Sequence, residues 1–525
     1  MEKNSTNDFY KDLLTNAGNA VDLQTTTRQL NGAGEPIVIP NAGKIISSAY
    51  EQLRNAAEYA EEHLVLQRAI RRYYYRNLFL SGRSTENVGE DLIIELSLSG
   101  YLSRKQFGSK AANAVSKLAK NYLEIYQRMV EDGVIAQKAL DITLGVLSVK
   151  TENQLNPHAY HDAAINFTYG YFLQALPAND FIRHKNQEDQ FQAALYIAVH
   201  QALLKSDIDV IRTALLDNNK VSAKNIREYV RYNQLIDKIY YSPLTRNLKM
   251  TVVRNGAPFR ILKSLLEDKP DLAYKILPER QKFLQAYRQQ IHKEYKQAEK
   301  RLSRGIRKSV IFIFLTKVLV GLAIEMPFEL LIYGEITWLP LAISLLFPPL
   351  YMASLRLGLK LPTTANANST EYFMDRLIHD KARPELFAYA RPRPRTSKLT
   401  RFAYGLLFFL PIGLSVWLLE TIGFNVVQMI MFFVFFSTAT FLGFRLRGII
   451  RELKIHSRQA GILQILSDFF SLPFILSGRW LSNRYARFDI IGKFLDIVIE
   501  LPLKTVLRLI RQWLNFLQEK HEQIY

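Results

Sequence analysis

Hydrophobic patterning divides the chain near residue 308. Before that point, apolar residues recur every three or four positions, the period of an amphipathic helix. This predicts helices over 43–80, 84–100, 109–131, 134–149, 160–176, 187–205, 207–217 and 222–240. Ser84 is placed to start the second, and Gly100 to end it. Only "EPIVIP" (35–40) alternates in the manner of a strand. The chain is therefore expected to be all-α. Residues 1–42 form a polar N-terminal segment, expected to be partly disordered, and 43–277 an all-α domain. Residues 278–308 read as a helical stalk.

Beyond the stalk the pattern changes to long apolar runs, at 309–331, 336–355, 402–419 and 424–444. A helix needs about 20 apolar residues to cross a bilayer, and the third run only just suffices. "MIMFFVFFSTATFLGF" has no polar face, which argues against a buried helix of a soluble protein. The runs pair into two tandem transmembrane hairpins, 309–356 and 402–445, joined by a basic linker, 357–401. Both tips, "YGEIT" and "ETIGFN", lack Lys and Arg, whereas every other flank is rich in them. Positive flanks mark the cytoplasmic side. The expectation is a multi-pass protein of the cell (inner) membrane with both termini cytoplasmic. A shift of 89 positions superposes Gly334 on Gly423, Phe347 on Phe436 and Arg356-Leu357 on Arg445-Leu446, but apolar sequences align easily by chance, and a true repeat stays open.

Residues 446–525 are expected to be amphipathic or interfacial. Within 488–518, Asp489, Lys493, Asp496, Glu500, Lys504, Arg508 and Arg511 recur at helical spacing beside a wide apolar face. "GILQILSDFFSLPFILSGRW" (461–480) is apolar but interrupted, and interfacial, re-entrant and spanning readings stay open.

The net charge of +20 changes the picture only through its location. It collects at the ends of the apolar runs, where Arg304, Arg307, Lys308, Arg393, Arg395, Arg445, Arg447, Arg508 and Arg511 are placed to meet lipid headgroups. Anionic lipids are thus the expected partners, with a protein docking on the helical domain; a homo-oligomer stays open and nucleic acid is not favoured. The chain has no cysteine, which excludes disulfides, thiolate-bound metals and thiol nucleophiles.

Motifs for chemistry are sparse. "GAGEPIVIPNAGK" (32–44) fails the phosphate-loop pattern, because Val38 stands where its first glycine belongs. No cofactor motif and no catalytic set is found. In "NPHAYHD", His158, His161 and Asp162 are weak metal candidates. The remaining candidates lie in or beside the apolar runs: Lys317, Glu325, Glu329, Glu420 and Gln428. Lys317 and Glu325 are separated by about 12 Å of helix rise, so the spacing predicts that they do not pair. Ser415, Gln428, Ser437 and Thr438 are the expected polar neighbours of the lysine. A membrane-anchored scaffold is the leading functional expectation. The alternatives are a transporter or channel component using these charges, and a membrane-bound metalloenzyme.

Overall fold

The computed structural model describes residues 8–39, 64–82, 85–102, 107–181, 188–268, 275–359, 361–380, 398–455 and 462–487, with Ser48, Glu51, Leu386, Leu509 and Trp513 singly. These residues contain helices and no strand; "EPIVIP" contributes one isolated bridge, Pro36 to Gly108. Arg393, Arg395, Arg508 and Arg511 lie outside the described residues, as does most of the tail stripe.

The polar region opens with α1 (Asp8–Asn31), α2 (Val65–Tyr74), α3 (Val88–Leu98), α4 (Ser109–Glu131), α5 (Ala136–Leu155) and α6 (Ala159–Ala175). It continues through α7 (Glu188–Leu203), α8 (Ile208–Asn218), α9 (Ile226–Tyr240), α10 (Pro243–Asn255) and α11 (Ala257–Asp268). Local chemistry explains several boundaries. Ser242 Oγ accepts from the Thr245 amide (3.1 Å) and Pro243 opens α10, a capped start with a residue that needs no amide partner. At the end of α3, Gly100 takes φ +84°, and the Tyr101 amide returns to the Leu96 carbonyl (2.9 Å).

Within 1–42, the segment expected to be partly disordered, residues 8–31 form α1. Leu13, Ala17 and Ala20 form a buried stripe on α1, which packs along α6. The larger core gathers Tyr171, Phe172, Phe191 and Phe259 with Phe283 and Tyr287 from the next helix. Each such side chain contributes about 1.5–3 kcal/mol when fully buried.

That next helix, α12 (Arg280–Val320), runs through a π-helical turn (Gly321–Glu325) into α13 (Met326–Ile332). There follow α14 (Trp338–Gly358), α15 (Thr364–Ile378), α16 (Lys398–Thr421), α17 (Val426–Arg451) and α18 (Ile462–Arg487). The expected stalk is not free-standing. Phe283, Tyr287 and Ile291 of α12 sit in the polar region's core, whereas its Leu302, Ile306 and Ile313 pack with Met352, Leu355 and Ala439. The expected linker is likewise part of the core: α15 buries Ala367, Met374, Leu377 and Ile378 there, a stripe at helical spacing.

Among the described residues, three helices are long and apolar enough to cross a membrane: Arg280–Ile332, Trp338–Arg356 and Val426–Arg451. The apolar part of α16, Gly405–Thr421, is shorter. Gly334 (φ +74°) and Gly423 (φ +93°) turn the chain before α14 and α17, and Phe347 and Phe436 meet at 5.6 Å between ring centroids. Small residues let the helices approach closely. Gly305 faces Leu446, Gly443 faces Leu355, and Gly478 of α18 lies against the Ser437 carbonyl of α17. Phe474 of α18 also stacks on Phe433 and meets Phe436 edge-on. In its described part, therefore, the region expected to be interfacial packs on an apolar helix and also touches α16.

A Cβ at Gly478 would come within 2.2 Å of the Ser437 carbonyl oxygen, a backbone atom that cannot swing aside. Gly478→Val should destabilise the bundle by about 1–3 kcal/mol, measured as a lowered unfolding midpoint in detergent. Gly413→Val, where a Cβ meets nothing within 4 Å, is the control.

Candidate functional site

The polar residues of the apolar helices assemble into two buried clusters. In the first, Lys317 Nζ donates to Glu325 Oε1, and the side chains are 1% and 0% exposed. This overturns the expectation that the two are too far apart to pair. Eight residues of regular α-helix overshoot two turns by about 80°. The π-turn between them is wider than an α-turn and takes up part of that excess. Helical side chains also lean toward the helix N-terminus, which brings the Glu325 carboxylate back toward Lys317. The ammonium group lies 5.2 Å from the centre of the Phe435 ring, within cation–π range.

The second cluster surrounds Glu329, which is fully buried. Its carboxylate accepts from the Thr337 amide (3.0 Å), Thr337 Oγ1 (2.6 Å), Asn425 Nδ2 (2.9 Å) and Gln428 Nε2. Thr337 and Asn425 are the N-cap residues of α14 and α17. The partial positive charge of two helix starts therefore faces one anion. Asn425 and Gln428 also cap each other's backbone amides in a capping box.

The structure thus brings together Lys317 with Glu325, and Glu329 with Gln428, but leaves Glu420 exposed. Of the other expected neighbours of Lys317, Ser415 and Thr438 donate to carbonyls of their own helices. Thr337, Asn425 and Phe435 were not anticipated, although Thr and Asn directly before an apolar run are cap residues by type. At the ends of the apolar helices Arg304, Arg307, Lys308 and Arg445 are exposed, and Arg447 pairs with Asp468 (3.4 Å).

A third feature is a cavity of about 820 Å³ where the polar region meets the bundle. His158, His161, Arg260, Glu294, Arg301 and Glu452 are among its lining residues. Arg260 fastens the two parts together. Its Nε and Nη2 donate to the Ala202 carbonyl (3.3 and 2.9 Å), and Nη1 donates to the Glu452 carbonyl just after α17 (2.7 Å). Burial lowers its pKa, against the pull of the Glu452 charge. Asn366 of α15 adds a clasp, donating to the Leu453 carbonyl (2.9 Å) and accepting from the Ile455 amide (2.9 Å).

His158 and His161 stack at 5.0 Å but turn to different carboxylates, Glu152 (3.3 Å) and Glu267 respectively. For His158, burial acts downward but the hydrogen bond and charge of Glu152 prevail, raising the pKa. For His161, burial prevails and lowers it. Burial pushes Asp162 up to about 6. No group of three or more His, Asp or Glu able to hold a metal ion occurs among the described residues, so the pairing of His158, His161 and Asp162 as metal ligands finds no support.

The chain is thus an all-α protein with, among the described residues, three helices long and apolar enough to cross a membrane. It matches no protein-family model, no curated protein and no solved structure.

Two predictions follow from this chemistry. Breaking a buried ion pair strands its partner, at a cost of about 3–5 kcal/mol. Lys317→Met and Glu325→Gln should each lower unfolding stability in detergent by that order, and the double variant should recover most of the loss. Neutral single variants would show that the two groups do not depend on each other.

Burial acts upward on Glu267, but His161 and Lys263 hold its pKa at about 2, below the ~4.3 of an unfolded glutamate. The carboxylate therefore favours the folded state fully above about pH 4.3, and loses that effect as the pH falls toward 2. Glu267→Gln should flatten acid-unfolding curves in that window and lower stability at pH 7.

Proposed function

We propose that this chain is a multi-pass protein of the cell (inner) membrane that presents a cytoplasmic helical domain as an anchored scaffold for a protein partner. In this reading α12–α13, α14, α16 and α17 cross the bilayer as two hairpins, with both termini cytoplasmic and the exposed basic residues at anionic headgroups.

The observation that carries the scaffold reading is that α12 belongs to two cores at once. Its first half is buried with Phe259 and Met374, and its second with Met352 and Ala439. Arg260 and Asn366 add hydrogen bonds across the same junction. A domain held in this way is positioned against the membrane rather than tethered loosely to it.

Transport is the second reading, favoured by Glu325 Oε2 and Ser344 Oγ, two buried oxygens with no hydrogen-bond partner among the described residues. Intramembrane ionisable groups often mark solute or proton paths. The metalloenzyme reading has no comparable support.

Single cysteines in this cysteine-free chain test the topology. At Glu335 or Thr421, both exposed at the tips, they should react with an impermeant thiol reagent in intact cells. At Ser222 they should react only after lysis. Labelling at Ser222 in intact cells would reject the orientation. Crosslinking and affinity purification from membranes should then recover a partner whose capture requires the polar domain. Ion or solute flux in proteoliposomes, abolished by Lys317→Met in a folded variant, would instead establish transport.

A further inference from the structure

We propose that the cavity between the polar region and the bundle binds a zwitterionic phosphate–amine group, the chemistry of phosphoethanolamine, either free or as a phospholipid headgroup. Its walls offer a cationic and an anionic pole, with capacity left at each. Arg260 makes three hydrogen bonds, all to backbone carbonyls. No carboxylate forms an ion pair with it among the described residues. A guanidinium has five N–H groups, so two remain for an anion. Arg301 of α12 lines the same cavity and is exposed. Forked guanidinium groups suit phosphate oxygens geometrically.

The anionic pole is identified by elimination among the carboxylates of the wall. Glu267 is engaged by His161 and Lys263, and Asp268 by Gln290 (2.7 Å) and Lys293 (2.5 Å). Glu452 faces Lys205 at 3.5 Å. Among the described residues Glu294 accepts only a long contact, from Gln290 (3.4 Å). It stands two turns before Arg301 on α12, about 10 Å along the axis, so a ligand lying along this helix can meet both charges. A volume of about 820 Å³ lies within the range of small-molecule sites.

The position of the site suggests the membrane as a source. Arg301 is followed by the exposed Arg304, Arg307 and Lys308, the residues read as headgroup contacts. A lipid would enter from that side with its headgroup raised toward Glu294. The lipid source rests on the membrane reading above; the free ligand does not.

The full-length protein, stripped of lipid in detergent, provides the test. Thermal unfolding is followed with added phosphatidylethanolamine, phosphatidylcholine, phosphatidylglycerol, soluble phosphoethanolamine and inorganic phosphate. Phosphatidylethanolamine or phosphoethanolamine should raise the midpoint in a saturable way, and the other three should do so weakly or not at all. A response to the lipid alone assigns a headgroup seat, and one to both assigns a site for the free group too. Arg301→Gln and Glu294→Gln should each weaken apparent affinity about tenfold, as expected for losing one charge-assisted contact. Arg260→Gln also removes bonds between helices, so the other two variants decide. Inorganic phosphate acting as strongly as phosphoethanolamine would overturn the anionic pole. Saturable binding unchanged in both deciding variants, or no binding of any probe, would overturn the site. Alkaline extraction of membranes reads insertion separately, so failure of the membrane reading is seen on its own.

Discussion

Charge buried within an apolar bundle is the constraint on which the rest of the arrangement turns. An isolated carboxylate or ammonium moved out of water costs several kcal/mol even after relaxation. Among the described residues the bundle buries Lys317, Glu325 and Glu329, and each is answered from within. Lys317 and Glu325 neutralise each other across the π-turn. Glu329 has no cation beside it and is met by four donors from two helix starts. That second solution has a structural consequence. Thr337 and Asn425 lie in separate tips, so one carboxylate fixes the starts of α14 and α17 relative to each other. Those two helices then meet further along, through Phe347 on Phe432 and Phe436.

The opposite end of the bundle is set by shared elements rather than by charge. α12 passes from one core to the other without a break, and α15 returns the chain to the polar core between the two pairs of apolar helices. Arg260 and Asn366 reach the segment just after α17 through its backbone carbonyls and amide. Backbone groups past a helix end lack intrahelical partners, and here the polar region supplies them. Two units distinct in composition are therefore not independent in structure. A shift of α12 along its axis would disturb Phe283 and Ile313 together.

The all-α class and most helices of the polar region were legible because their apolar period is strong; the expected 109–131 coincides with α4. What was not legible depended on partners distant in sequence. α1 places the small Ala17 and Ala20 on its buried stripe, and they gain meaning only against α6. α15 lies inside a stretch read as a basic linker, although its own charges are only Glu371, Asp375 and Arg376, and its stripe of Ala367, Met374 and Ile378 gains meaning only against the polar core. The apolar runs announced themselves by length, but not that α18 would pack on α17 through Gly478. At the candidate site, residue types singled out Lys317, Glu325, Glu329 and Gln428. The Lys317–Glu325 pair was not legible, because a rise of about 12 Å holds for regular α-helix and the chain forms a π-turn between them.

The two charge clusters differ in what they permit. The donors to Glu329 come from helix caps and their immediate neighbours, so replacing them with water or a solute requires α14 and α17 to separate at their starts. The Lys317–Glu325 pair lies within one continuous helical segment, and returning the π-turn to α-helical pitch would rotate Glu325 away without parting any two helices. Glu325 Oε2 has no hydrogen-bond partner among the described residues, so fewer bonds are exchanged there than at Glu329. At Gly321–Glu325 the glycine offers no side chain to resist a change of pitch. This is the physical distinction between the scaffold and transport readings. A scaffold needs the π-turn to stay as it is, and a transporter needs it to interconvert while the Glu329 cluster keeps the tips together.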